Sequence, residues 1–134
     1  ADVGRLAPGA PSLGVALASD IALVTVRPGV ENYGHLRERL SWIVAETSRR
    51  SEPARLGILL IAPWKARHEA DDLSRLLRGS GLEIPIVGAL AFDQSAADSL
   101  AGRRSRPLGR TLLVRSARTV ATALAGVAVN GGAA

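Results

Sequence analysis

Three nearly continuous apolar runs alternate with segments whose apolar residues recur at helical spacing. The first run is Asp20 to Arg27, with Ile-Ala-Leu-Val-Thr-Val at its centre, and Pro28-Gly29 stops it. The second is Arg55 to Ala62, stopped by Pro63. The third is Ile84 to Leu90, with Pro85 near its start and Gly88 inside. Strands that are apolar on both sides, without alternation, are the pattern of a parallel sheet covered on two faces. Between the runs, Leu36, Leu40, Ile43, Val44 and Thr47 predict a helix over Glu31 to Arg49. Leu73, Leu76 and Leu77 predict one over His68 to Arg78, ended by Gly79 to Gly81. Asp93 is suited to cap a short helix, Gln94 to Ala101, that buries Ala97 and Leu100. A last helix, about Arg110 to Ala125, is expected to bury Leu113, Ala117, Val120, Ala121 and Leu124.

Strand and helix alternating three times predict an α/β fold, a three-layer sandwich about a mostly parallel sheet. Three strands make a small sheet, so at least one long apolar edge is expected to lack a neighbour. An amino-terminal half or a second chain would supply it. One folded unit is expected over residues 1–126, with residues 127–134 a flexible tail.

Composition narrows the chemistry. The 134 residues contain no cysteine, which excludes a disulfide framework, a thiolate zinc site and a cysteine nucleophile, and is compatible with the cytoplasm. No apolar run reaches the roughly 18 to 20 residues that span a bilayer, and the opening residues do not resemble a signal peptide. The first residue is alanine, so a processed product or a piece of a longer chain is expected. The net charge is +5, and Lys65 is the only lysine. Arginine grips phosphate and carboxylate in a bidentate fork, so nucleotide, nucleic acid or an acidic partner all fit. A GC-rich coding sequence, favouring arginine and alanine codons, gives the same composition.

The order of short motifs is more specific than any one of them. The chain opens Asp2-Val3-Gly4-Arg5, then has a short helix (Ser12 to Ala18), and Ser19-Asp20 leads into the first strand, which ends Arg27-Pro28. Later come Pro85 to Asp93 (Pro-Ile-Val-Gly-Ala-Leu-Ala-Phe-Asp), Leu100-Ala101-Gly102 and Leu112-Leu113-Val114-Arg115-Ser116-Ala117. From Asp2 to Leu124 this succession resembles the carboxyl-terminal half of MinD/ParA-type ATPases, including the pilus-assembly and septum-site-like branch. The resemblance implies a P-loop NTPase-like fold without its amino-terminal P-loop half. It also implies that Asp2 and Gly4 are the pair facing magnesium, through water, and the γ-phosphate. The loops Ala62 to Trp64, including Pro63, and Ala91 to Asp93, including Phe92, would flank the base. ATP and Mg would belong to the intact domain only. The sequence departs from the family at Ala62-Pro63, where an adenine-reading asparagine is common.

No Gly-x-x-x-x-Gly-Lys-[Ser/Thr] or Lys-Gly-Gly loop occurs in the chain. Without glycine amides and a lysine around the phosphates, the isolated chain is not expected to hydrolyse ATP. Other templates are incomplete. His35 and His68 lack metal-ligand spacing, Glu69, Asp71 and Asp72 suit a helix start, and Ser116 has no histidine at triad spacing. The arginines at 103, 104, 106, 110, 115 and 118 crowd one stretch. There Arg103, Arg104, Arg106 and Arg110 are candidates for non-specific DNA contact. With no aromatic residue among them, stacking on single-stranded bases is not expected. The chain's end lacks the basic amphipathic character of a membrane-targeting helix.

The expected function is therefore the rear part of a MinD/ParA-like ATPase that positions a chromosome, septum site, pilus or secretion apparatus through ATP-driven dimerisation. The alternatives are a catalytically silent module pairing with a complete homologue or as a homodimer, and a basic DNA-associating domain.

Overall fold

The computed structural model describes residues 2–63, 68–103 and 107–131, the last five as helical backbone alone. Its elements are helix α1 (Pro11–Leu17), strand β1 (Ile21–Val26), α2 (Val30–Thr47), β2 (Arg55–Ala62), α3 (His68–Gly79), β3 (Ile86–Ala91), α4 (Gln94–Leu100), a 3-10 turn (Leu108–Arg110) and α5 (Leu112–Gly131). The strands form an open sheet in the order β1-β2-β3, with both pairings parallel.

Alternation along β2 divides the core into two faces. Ile58, Leu60 and Ala62 join Val26 with Tyr33, Leu36, Leu40, Leu73 and Leu77 in one buried cluster, so α2 and α3 share a face of the sheet. Leu40, Ile58, Leu60, Leu73 and Leu77 are its fully enclosed members. Each such side chain contributes about 1.5–3 kcal/mol by leaving water. Between the two helices Tyr33 donates to Oε2 of Glu69 at 2.7 Å. Burial, then that bond and the charges of Glu69 and Asp72, hold the Tyr33 hydroxyl well above the usual phenol range.

The other face carries Gly57, Leu59 and Ile61. Gly88 pairs with Leu59 and so shares its face, and a Cβ added there would stand 2.8 Å from Cγ2 of Val120. Helix α5 therefore lies against β3 on the side opposite α2 and α3, and helices occupy both faces. The register jumps from Ile58↔Ile86 to Leu59↔Gly88, leaving Val87 as the extra residue of a β-bulge. The glycine inside the third apolar run is thus where α5 approaches most closely.

The strands fall where the apolar runs place them, but two helices turn differently. In α4, Ala96 is buried while Ala97 is exposed and Leu100 is 59% exposed. Asp93 caps this helix through the Ala96 amide and so fixes its phase. Among the α5 side chains described, Ser116 and Val120 are buried, flanked by half-buried Leu113 and Leu124, while Ala117 and Ala121 face solvent. A helix seated on a single strand buries only this narrow stripe. In α3, Leu76 is 39% exposed, unlike its buried neighbours Leu73 and Leu77. The last helix continues to Gly131, past the point where a tail was expected; residues 132–134 lie outside the described residues. Among the described residues no helix is long and apolar enough to cross a membrane.

Candidate functional site at the open edge of the sheet

The hydrogen-bond pattern shows which backbone groups the sheet leaves over. Arg55 N–H donates to the Asp20 carbonyl at 3.1 Å. In a parallel ladder successive residues point their backbone groups to opposite sides. Ala22, Val24 and Val26 therefore face β2, and Ile21, Leu23 and Thr25 turn theirs outward. Among the described residues no backbone hydrogen bond from outside the sheet reaches these three, and the one side-chain bond to them is from the Ser19 hydroxyl to the Ile21 carbonyl at 3.0 Å. The same strand is open on its face: Leu23, Thr25, Leu59 and Ile61 line a groove of about 780 Å³ whose far wall is the segment Asp2 to Leu6.

Asp2 and Gly4 lie on this groove. Asp2 Oδ1 accepts from the Gly4 N–H at 2.9 Å, and Gly4 has φ 66°, a left-handed turn that glycine adopts without strain. A Cβ on Gly4 would meet nothing within 4 Å, so the turn rather than crowding requires the glycine. Among the described residues Asp2 is the lone carboxylate of the groove. A magnesium ion beside it would take its other ligands from water and phosphate, as this ion commonly does. Among the described residues no group of three or more His, Asp or Glu side chains could hold a metal by itself.

The base-side candidates gather at the carboxyl ends of β2 and β3. Phe92 N–H donates to the carbonyl of buried Ala62 at 2.9 Å, which sets the two strand ends side by side, with Pro63 exposed beyond them. Phe92 is 51% exposed. Asp93 turns its carboxylate to α4, accepting from the Ala96 amide at 3.1 Å and the Ser95 hydroxyl at 3.0 Å. It therefore serves first as a helix cap. Trp64 lies outside the described residues.

The arginine stretch does not form one described surface. Arg103 sits 3.6 Å from Asp98, Arg110 lines a separate cleft with Phe92 and Thr111, and Arg104 and Arg106 lie outside the described residues. Arg115 and Arg118 are exposed on α5. Ser116 is structural, since its Oγ accepts the Ala91 N–H at 2.9 Å and donates to the Leu113 carbonyl at 2.9 Å.

A basic group missing from the sequence-based site lies beside the open edge. Arg5, Arg27, His35 and Arg39, with Asn32, line a cavity of about 550 Å³ at the carboxyl end of β1. The Arg27 guanidinium carbon lies 5.4 Å from the centroid of the Phe92 ring at the end of β3, a favourable cation–π distance. The usable signal was Asn32, His35 and Arg39 at helical spacing, following an arginine that ends a strand. No family model matches the chain, and no curated protein matches it either.

Proposed function

We propose that this chain is the carboxyl-terminal part of a MinD/ParA-like ATPase, and that a strand from an amino-terminal P-loop half completes its sheet at β1. The supporting observation is the outward row Ile21, Leu23 and Thr25 with the Asp2–Gly4 turn on the same open groove. A buried parallel sheet is covered on both faces, and an apolar parallel edge strand normally has a neighbour. The added half would bring the glycine amides and lysine that this sequence lacks, placing the triphosphate and its magnesium near Asp2. Nucleotide-driven dimerisation would then position a cellular structure. A homologous subunit could fill the same edge, which is the competing interaction-module reading.

Hydrolysis and exchange test it together. The 134 residues alone are expected to release no phosphate from ATP and Mg²⁺. The longer polypeptide, including the residues encoded upstream, is expected to do so and to protect the amides of Ile21, Leu23 and Thr25. Turnover by the 134 residues alone, or an unprotected β1 in an active longer polypeptide, contradicts the reading. Edge protection from an added homologue, with none from the upstream residues, would favour the interaction module.

A further inference from the structure

We infer that the cavity at the carboxyl end of β1 is a binding site for a polyanion carrying two or more phosphate groups. Arg5, Arg27 and Arg39, three permanently charged residues, border one concavity, and among the described residues no carboxylate lines it. The carboxylate of the adjoining groove, Asp2, accepts from the Gly4 amide. Asn32 donates one amide hydrogen to the Pro28 carbonyl at 3.1 Å, which fixes the side chain at the mouth of the cavity. The Arg27 guanidinium stands over the Phe92 ring, which is outside the cavity lining, so a ligand that engages it extends toward the end of β3. Guanidinium forks match phosphate oxygens in pairs. Three arginine charges exceed the roughly two negative charges of a single phosphate at neutral pH, so at least two groups are expected to engage the arginines together.

The site lies at the carboxyl ends of parallel strands, where open α/β sheets commonly bind ligands. It needs neither Mg²⁺ nor the missing phosphate loop, but it shares Arg5, Thr25 and Arg39 with the groove beside which the proposed amino-terminal half would add its strand, so it is tested on the 134 residues alone. The phosphates could belong to a small polyphosphate or to a nucleic-acid backbone, and the same arginines would serve either.

Calorimetric titration of the 134-residue protein with sodium tripolyphosphate, and separately with a single-stranded 12-mer, tests the site at low ionic strength without divalent ions. Binding is expected for at least one probe, weakening as salt rises. Arg27→Gln with Arg39→Gln is expected to weaken it at least tenfold. Both arginines are exposed, so circular dichroism should show the variant folded. Arg49→Gln with Arg75→Gln, which removes two surface arginines elsewhere, is expected to change it less than twofold. Displacement of the 12-mer by tripolyphosphate would assign both to this cavity. Binding of the 12-mer alone, lost in the cavity variant, would identify the source as nucleic acid. Absence of binding by both probes, or equal weakening by the two double variants, overturns the inference.

Discussion

The two edges of the sheet are finished to different degrees. At β3, α5 lies across the strand, Val120 fills the space that Gly88 leaves, and Ser116 reaches over to take the outward Ala91 amide. At β1, Ile21, Leu23 and Thr25 point their backbone groups away from the sheet, and the face above them is a groove. Ser116 closes one outward amide of this edge, while exposed Ala89 keeps its backbone groups turned outward. On the β1 side the short helix α1 touches the strand, and Ser19 just after it takes only the Ile21 carbonyl, at 3.0 Å. The contrast is between an edge whose carboxyl end a helix covers and one whose face lies open as a groove.

Substitutions should expose this difference by their size. Leu60→Ala, in the enclosed cluster under α2 and α3, is expected to cost about 2–5 kcal/mol in urea unfolding. Gly88→Val would force a methyl group against Val120 and shift α5, at up to about 3 kcal/mol, read as a lowered melting temperature. Ser116→Ala leaves the Ala91 amide buried without its acceptor, costing about 1–2 kcal/mol. Its specific signature is faster exchange at Ala91. A stability loss without that change would assign the serine only to α5. Leu23→Ala, on the half-buried open strand, should cost about 1 kcal/mol. A loss equal to that of Leu60→Ala would mean that the β1 side is packed as tightly as the core.

The smallest effect concerns the helix layer of the closed face. Tyr33 is the only tyrosine, so phenolate absorbance in the near ultraviolet reports this residue alone. Its folded-state affinity for the proton is raised, chiefly by burial and then by Glu69. The associated stability is full below the ordinary phenol value of about 10 and declines as pH rises past it. Ionisation and alkaline unfolding should therefore coincide. Tyr33→Phe should remove that slope and cost about 1 kcal/mol at neutral pH. A titration near the ordinary phenol value with the fold intact would show the hydroxyl to be accessible.

Much of the fold was legible because strands reveal themselves by local apolar runs. The boundaries of β2 agree with its run to the residue, and Pro63 explains why it ends. The phases of α4 and α5 were not legible, because small residues such as Ala97, Ala117 and Ala121 suit either face of a helix. Tertiary partners decided: the cap at Asp93 turned α4, and the Ala91 amide drew a serine to the buried side of α5. The candidate site shows the same limit. Asp2 and Gly4 could be named from a local motif. Arg5, Arg27, His35 and Arg39 meet only once α2 folds back beside β1 and the opening segment reaches the same end of the sheet.

Amide hydrogen exchange of the 134-residue protein by NMR tests the unfinished edge most directly. Within β1, Ala22, Val24 and Val26 should exchange slowly and Ile21, Leu23 and Thr25 quickly, while Ala91 on the opposite edge stays slow through Ser116. Uniform protection along β1, or an Ala91 amide that exchanges as fast as Leu23, would contradict it.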